Sequence, residues 1–126
     1  MNKQSQSNNK IKLATIFSGI GAIEHAFERM GVPYELVFAC DNDKYVKESF
    51  YANYDIDNSK WYDDINELNI KETKKYKNKI DLFVGGSPCQ SFSMVGKRKG
   101  LEDTRGSLFY NFAKIIRGTQ PKIFIF

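Results

Sequence analysis

The sequence predicts an α/β fold with a mostly parallel sheet and helices on both faces. Short apolar runs alternate with segments of helical periodicity, and Gly and Pro residues separate them. Strands that alternate with helices in this way form βαβ units, whose crossover helices cover the sheet. The composition, 41% hydrophobic and 14% aromatic, is typical of a globular chain, and 126 residues make one domain at most.

The first half of the chain predicts two strand–helix pairs. Residues 11–17 form an apolar run that predicts a strand, and the helical pattern after it ends at Gly31. Residues 36–40 predict the second strand. Asp41-Asn42-Asp43 then supplies a cap for a helix from Lys44 to about Tyr54, because side-chain oxygens just before a helix accept its free N–H groups.

The second half continues the alternation, with one long interruption. Residues 55–63 predict polar turns around Trp61, and the lysine-rich residues 65–76 predict a weakly amphipathic helical stretch. We then expect a buried strand at 80–84, a long loop at 85–106, a helix at 107–117 that Gly118 stops, and a strand at 123–126. Because no helix follows to cover this last apolar strand, we expect the sequence to be part of a domain.

The composition of the chain argues against several classes of protein, such as membrane, secreted and metal-binding proteins. A net charge of +4 and a pI near 9.0 favour an acidic partner. No stretch approaches the roughly 18 apolar residues of a membrane helix, and the polar residues 1–10 predict a solvated tail rather than a signal peptide. With only Cys40 and Cys89, we predict a reducing cytoplasmic compartment and no structural disulfide. The single histidine, His25, and the lack of a CxxC pair leave no spacing typical of a metal site.

A glycine turn, Phe17-Ser18-Gly19-Ile20-Gly21-Ala22, follows the first strand. Folds of this class bind nucleotide-like ligands at such strand ends, since glycines allow close approach and the helix start supplies free N–H groups. The turn is not the full dinucleotide fingerprint, because Glu24 occupies the third glycine position. Asp41 ends the second strand, where such sheets hydrogen-bond ribose hydroxyls. It can be a helix cap, a ribose ligand or both.

A cysteine follows the strand at residues 80–84, in Gly85-Gly86-Ser87-Pro88-Cys89-Gln90-Ser91-Phe92-Ser93. A buried strand that ends in Gly-Gly is one way in which an enzyme presents a nucleophile. Basic residues downstream favour the thiolate, which is the reactive form. From spacing alone two interpretations stay open, because a free cysteine is often simply packed. The basic run Lys97-Arg98-Lys99 is likewise open to two interpretations: it contacts phosphates, or it is a solvated surface segment.

The order of these parts resembles the DNA (cytosine-5)-methyltransferases, which use S-adenosylmethionine. Residues 17–21 resemble the family's Phe-x-Gly-x-Gly motif, residues 85–93 its Pro-Cys-Gln motif, and residues 96–109 the loop and helix after it. Ala22 departs from the pattern, since many members have a second glycine there. The resemblance implies a Rossmann-like methyltransferase fold, incomplete at its carboxyl terminus. It makes residues 11–126 the amino-terminal part of the catalytic domain, without the target recognition domain and without a metal.

The resemblance also implies a role for each matched residue. Cys89 is the implied nucleophile, which adds to carbon 6 of a flipped-out cytosine and so activates carbon 5. Asp41 takes the ribose hydroxyls, Asn42 lies against the adenine, and Asp64 with Ile65 reads the adenine amino group. The implied cofactor-binding residues are Phe17, Gly19, Ile20, Gly21, Asp41, Asn42, Asp64, Ile65, Pro88 and Leu108.

Contacts to duplex DNA are implied for the cysteine loop. Residues 91–106 predict a lid over the flipped base, and its cations attract phosphates without reading sequence. The implied DNA-binding residues are Gln90, Ser93, Lys97, Arg98, Lys99 and Arg105. Four aromatic residues are expected in core or pocket packing rather than in base stacking: Tyr45, Tyr54, Trp61 and Phe109.

Three functions stay open at this stage. The first is methylation of cytosine in duplex DNA, in a bacterial restriction–modification system. The second is methylation of tRNA by the same family, and the third is a non-catalytic fragment that only binds cofactor. The family's Glu-Asn-Val motif is expected immediately after Phe126. We therefore expect the chain to be inactive alone, with the remainder on the same chain or on a second one.

Overall fold

The structure is a computed structural model that describes residues 9–86 and 104–126, with side chains for 9–86 and 109–126. Five parallel strands form one sheet in the order β3-β2-β1-β4-β5. They are β1 (Ile11–Ile16), β2 (Tyr34–Cys40), β3 (Trp61–Tyr62), β4 (Leu82–Gly85) and β5 (Ile123–Ile125). The α-helices are α1 (Ala22–Met30), α2 (Lys44–Asn53), α3 (Ile70–Lys74) and α4 (Thr104–Thr119). Single-turn 3₁₀ helices lie at Asn58–Lys60 and Ile65–Glu67. The predicted parallel α/β fold is confirmed.

Two apolar clusters cover the two faces of the sheet, as the alternation of side chains along a strand requires. One face packs α1 and α2 against the sheet through Leu13, Phe27, Leu36, Phe50 and Trp61. On the other face, α4 packs through Phe112 and Ile115 against residues that include Ala14, Phe38 and Phe83. The predicted helices on both faces are therefore present. Within the described residues, no helix is long and apolar enough to cross a membrane.

The segment between α2 and β4 differs from the prediction. Where residues 55–63 predicted only turns, Trp61 and Tyr62 form the edge strand β3, paired with Ala39 and Cys40. The helical stretch predicted at 65–76 is two short helices separated at Leu68 and Asn69. Asn69 caps the second helix by accepting a hydrogen bond from the Glu72 N–H. A two-residue segment is too short to show the alternation of a strand in its sequence. It is a strand because it pairs with β2.

The last helix also corrects two predictions. It begins at Thr104, inside the predicted loop, and it continues through Gly118 to Thr119. Gly118 does not stop the helix, because it is the point of closest approach to α3: a Cβ there would lie 2.8 Å from the Thr73 Cβ. The left-handed residue that ends the helix is instead Gln120, with φ 48°.

The four aromatic residues predicted to pack in the core or a pocket differ in how exposed they are, and the last strand is exposed. Tyr45 is 68% exposed, so its predicted packing role is wrong, and the Lys44 ammonium lies 4.9 Å from its ring centre. Trp61 is buried as predicted, Tyr54 is half-buried, and Phe109 is exposed. All three residues of β5 are exposed, although the Phe124 ring centre lies 6.4 Å from that of Phe112 on α4.

Candidate functional site

The carboxyl ends of β1, β2, β3 and β4 lie along one edge of the sheet. Ile16 is paired with Cys40 on one side and with Gly85 on the other, so the neighbouring strands end level with β1. The chain runs outward from β1 to β3 and then returns to β4 on the other side of β1. The crevice between β1 and β4 is therefore the switch point at which open α/β sheets bind ligands.

The glycine turn after β1 has left-handed backbone at three positions: Phe17, Gly19 and Gly21, with φ of 51°, 56° and 88°. Gly21 must be glycine for a second reason, since a Cβ there would lie 2.7 Å from the Tyr54 Cζ. The Tyr54 hydroxyl donates a 2.8 Å hydrogen bond to the Gly21 carbonyl. No side chain caps α1 at Gly21. The first residues of α1, Ala22 and Ile23, line the crevice, so their uncapped N–H groups are potential ligand donors.

Asp41 fixes this turn from the end of β2. Its Oδ2 accepts a 2.9 Å hydrogen bond from the Gly19 N–H, and its Oδ1 accepts one of 3.1 Å from the Asp43 N–H. Asp43 is the cap of α2, where its Oδ1 accepts from the Tyr45 and Val46 N–H groups. Each Asp41 oxygen has a second lone pair, so the half-buried carboxylate can also accept hydroxyl donors. The hydrogen bond between Gly19 and Asp41 thus connects two residues that the sequence analysis predicted separately as site residues.

The end of β3 adds the Asp64 segment to the same edge. The Asp41 N–H donates 3.2 Å to the Tyr62 carbonyl, which holds β3 beside the Asp41 turn. Asp64 is exposed and caps the following 3₁₀ helix in a reciprocal capping box with Glu67. The Ile65 side chain is 8% exposed and belongs to the core. A contact of Ile65 with a ligand would therefore come from its main chain.

Glu24 is a buried acid beside this site that sequence reasoning passed over. It is 1% exposed; its Oε1 accepts a 3.2 Å hydrogen bond from the Thr15 hydroxyl. The Ser18 and Thr15 hydroxyls lie 2.7 Å apart, and the Cys40 N–H donates 3.2 Å to Ser18. The Glu24 Oε2 has no partner among the described residues. Burial raises the pKa of Glu24, while hydrogen bonds from Thr15 and the backbone lower it less.

This network connects β1, β2, the glycine turn and α1 through side chains that the core surrounds. The signal that could have found Glu24 was its position three residues before Phe27, on the apolar stripe of α1. An ionisable residue on the apolar stripe of a helix is buried together with that stripe when the helix packs against a sheet. Its proximity to the turn suggests that it helps to position Ser18.

The crevice itself is a cavity of about 280 Å³. Thr15, Phe17 and Ser18 line it from β1 and the turn, and Gly85 and Gly86 line it from β4. Gly85 permits the close packing at this end of β4, because a Cβ there would lie 2.6 Å from the Ile16 Cγ1. The sequence after Gly86 leads directly to Pro88-Cys89. Both residues lie outside the described part of the chain.

The remaining predicted site residues divide between described and undescribed segments. Ile20 and Asn42 are exposed at the site edge, with Ile20 69% exposed. The predicted DNA-binding residues Gln90, Ser93, Lys97, Arg98 and Lys99 lie outside the described residues, and for Arg105 and Leu108 only the helical backbone is described. The other cysteine, Cys40, is buried, and burial raises the pKa of its thiol to about 12. That thiol is unsuited to nucleophilic attack.

Potential metal ligands do not converge in the part of the chain that the structure describes. No group of three or more His, Cys, Asp or Glu side chains is placed there to hold a metal ion. The parallel sheet, the glycine turn and the acid at the end of β2 together define a class: α/β proteins that bind a nucleotide-like ligand at the switch point.

Comparison with known proteins identifies the family within that class. The profile of the C-5 cytosine-specific DNA methylases matches residues 11–126. The chain belongs to this family, and the predicted resemblance is confirmed.

Individual relatives agree with this assignment. The chain is 44% identical to the orphan methyltransferase M.SPRI of Bacillus phage SPR, over 93% of this chain and 26% of that protein. It is 38% identical to the type II methyltransferase M.HpaII of Haemophilus parainfluenzae, over 91% of this chain and 30% of that protein. The structure of the S. pombe Dnmt2 methyltransferase has the same fold, with a TM-score of 0.64 at 24% identity over 86% of this chain and 32% of that one. The chain thus spans about a quarter to a third of the length of these relatives.

Proposed function

We propose that this chain binds S-adenosylmethionine at the carboxyl edge of its sheet and supplies the cysteine for methylation of carbon 5 of cytosine in duplex DNA. One observation carries the proposal: the glycine turn that Asp41 anchors lies beside the end of β4, from which the chain runs to Pro88-Cys89. A cofactor site and a nucleophile on adjacent strand ends are what methyl transfer to an activated base requires. Family membership supports both roles.

The described residues fit the cofactor. The Asp41 carboxylate already accepts two main-chain hydrogen bonds and can accept ribose hydroxyls with its other lone pairs. The uncapped N–H groups of α1 suit the cofactor's carboxylate, and the exposed Ile20 side chain can cover an adenine face. Asp64 and the main chain of Ile65 are near enough to Asp41 in the fold to contact the adenine edge.

The proposed chemistry assigns one covalent step to the protein. S-adenosylmethionine supplies an electrophilic methyl group on a sulfonium. The Cys89 thiolate would add to carbon 6 of cytosine and move the electron pair to carbon 5. Carbon 5 would then take the methyl group as the bond between that methyl group and the sulfonium breaks, which leaves the neutral thioether S-adenosylhomocysteine. Loss of the carbon 5 proton then expels Cys89 and restores the aromatic ring. The base must leave the helical stack to reach the thiol.

The proposal extends to the setting of the enzyme. Type II methyltransferases among the relatives support a restriction–modification role in a bacterial cytoplasm. Because the relatives are about three to four times longer, we propose that turnover needs a further segment, carried on the same chain or on a second one. The predicted DNA contacts at Gln90, Ser93, Lys97, Arg98, Lys99 and Arg105 remain part of the proposal.

Cofactor binding is tested by isothermal titration of the 126-residue chain with S-adenosylmethionine. We expect saturable binding that Asp41→Ala weakens and Asp57→Ala leaves unchanged, because Asp57 only caps a distant 3₁₀ turn. Absence of binding by the folded wild-type chain would contradict the cofactor assignment.

Methyl transfer is tested in a chimera, in which residues 11–126 replace the corresponding segment of the phage SPR relative. Duplex DNA and tRNA are offered separately with methyl-labelled cofactor. We expect label in duplex DNA from the chimera, none from the 126-residue chain alone, and none from the chimera with Cys89→Ser. Turnover by that variant would refute the nucleophile, and label confined to tRNA would refute the substrate.

A further inference from the structure

A basic groove lies between α3 and the last turns of α4. It measures about 850 Å³, and its floor includes the buried Leu68 and the Thr73–Gly118 contact between the two helices. Its walls carry five cations: Lys71, Lys74, Lys77, Lys114 and Arg117. We refer to this surface as the α3–α4 groove.

The charge of the groove is uncompensated within the described residues. Its lining contains no Asp or Glu, and none of the five cations makes an ion pair with another described residue. The acid nearest in sequence, Glu72, is engaged elsewhere: it accepts from Lys75 at 2.8 Å and from the Tyr62 hydroxyl at 2.6 Å. The five cations form no ion pair with another described residue, and they repel each other around one concave surface, so an anionic partner is favoured there.

The groove extends away from the edge at which the base is methylated. It begins at Asn66, whose N–H donates to Asp64 at that edge, and it reaches the last turns of α4. The end of α4 leads into the amino end of β5, where Lys122 pairs with Asp81 at the start of β4 at 3.0 Å. The cofactor edge is at the opposite ends of the strands, and a six-residue strand such as β1 is about 20 Å long. A DNA duplex held at that edge therefore does not account for Lys114 and Arg117, which lie in the last turns of α4.

The lining favours a polypeptide over a nucleic acid. Grooves that hold single-stranded nucleic acid stack bases on aromatic side chains, and this lining contains no aromatic residue. It contains instead Leu68 in the floor and Ile70, 74% exposed, at the rim. Ile70, an exposed apolar side chain beside cations on both walls, is complementary to a helix with an apolar stripe and acidic flanks.

We propose that the α3–α4 groove is a docking site for an acidic amphipathic segment of a partner protein. The apolar stripe of the segment lies on Ile70, and its carboxylates pair with cations on both walls. Such pairs give specificity and fast association, and they weaken as salt screens them.

Fluorescence anisotropy tests this proposal with a labelled helical peptide of Leu, Ala and Glu, with Leu along one face. A scrambled peptide of the same composition, a single-stranded DNA and a duplex DNA are the comparison probes. The test variant is Lys71→Glu/Lys74→Glu, and the matched control is Lys10→Glu/Lys79→Glu outside the groove. Each double variant lowers the formal net charge of +4 to zero, so general charge effects are equal.

We expect the amphipathic peptide to bind the wild type and the control double variant alike, and to bind the groove variant at least tenfold more weakly. The scrambled peptide should bind weakly to all three. Equal losses in both double variants would overturn the proposal, because binding would then follow net charge alone. Tighter, groove-dependent binding of either DNA would also overturn it. Lys114→Gln/Arg117→Gln on α4 provides a second test that does not alter the short helix α3.

Discussion

Replacement of Gly21 by alanine is the sharpest test of how the glycine turn is built. Gly21 has φ 88°, and an added Cβ would lie 2.7 Å from the Tyr54 Cζ and 3.0 Å from its hydroxyl oxygen. Tyr54 must therefore move, and its 2.8 Å hydrogen bond to the Gly21 carbonyl is lost. The change affects the backbone, a side-chain position and a hydrogen bond together.

The expected magnitude follows from these parts. Left-handed backbone costs about 1–2 kcal/mol for a residue with a Cβ, and the lost hydrogen bond contributes about 1 kcal/mol. We therefore expect Gly21→Ala to lower the free energy of unfolding by about 3 kcal/mol. With a urea dependence of about 2 kcal/mol per molar, the midpoint falls by about 1.5 M.

The assay is urea unfolding followed by the fluorescence of Trp61, the only tryptophan, which is 6% exposed. Gly31→Ala is the matched control, because Gly31 has φ 67° and open space around a Cβ. It should lose only about 1 kcal/mol, from the backbone alone. In Gly21→Ala/Tyr54→Ala the clash disappears, so the double variant should be more stable than the sum of the single changes predicts. Strict additivity, or equal losses at Gly21 and Gly31, would refute the reasoning.

Three further predictions concern the site. Asp41→Ala should weaken S-adenosylmethionine binding about 10- to 100-fold, because a charge-assisted hydrogen bond contributes about 1.5–3 kcal/mol; calorimetry against Asp57→Ala measures this. Glu24→Gln should change the pH dependence of stability. Burial raises the pKa of Glu24 above its ordinary 4.5, so its contribution is complete below about pH 4.5 and declines as pH rises through the raised pKa. As pH rises above about 4.5, the urea midpoint of the variant should therefore increase relative to that of the wild type, and a constant difference would contradict this. In Cys89→Ser, where Cys40 is the only thiol, a chromogenic disulfide reagent should react only after unfolding, because Cys40 is buried and its pKa is raised to about 12. Rapid reaction in native buffer would show that the thiol is accessible.

Most of the fold was predictable because its signals are local. The helix stop at Gly31 is observed at the predicted residue, and within the predicted capping segment Asp41-Asn42-Asp43 the cap is Asp43. The strands that form β1, β2, β4 and β5 were recognisable as short apolar runs between glycine and proline residues. These features depend on a few adjacent residues, which a sequence displays directly.

The errors lie where distant residues decide the structure. Gly118 reads as a helix stop, but its missing side chain is used for contact with Thr73, and the helix ends beyond it. Trp61 and Tyr62 become a strand only because β2 offers them an edge. Tyr45 follows a helix cap and points into solvent. A local sequence pattern shows neither which distant residue a segment will contact nor whether a side chain will point into the core or into solvent.

The same distinction applies to the site. Gly19 and Asp41 were each predicted as cofactor contacts, but the hydrogen bond between them could not be read from positions 22 residues apart in the chain. Glu24 was overlooked because its significance comes from Thr15 and Ser18, which the fold brings beside it. Residue types indicate the chemistry, and pairing between strands supplies the geometry.

The contacts that hold the glycine turn are also the contacts that the proposed cofactor would use. Phe17, a residue with a side chain, is held at φ 51°, a conformation that is stable only when its surroundings enforce it. The Ser18 N–H bond to Cys40 and the Gly19 bond to Asp41 provide that enforcement. Cofactor hydroxyls on Asp41 would add to the same carboxylate, so binding and folding are linked. At the same concentration, S-adenosylmethionine should therefore raise the unfolding midpoint of the wild type more than that of Asp41→Ala, since a ligand stabilises only the state that binds it.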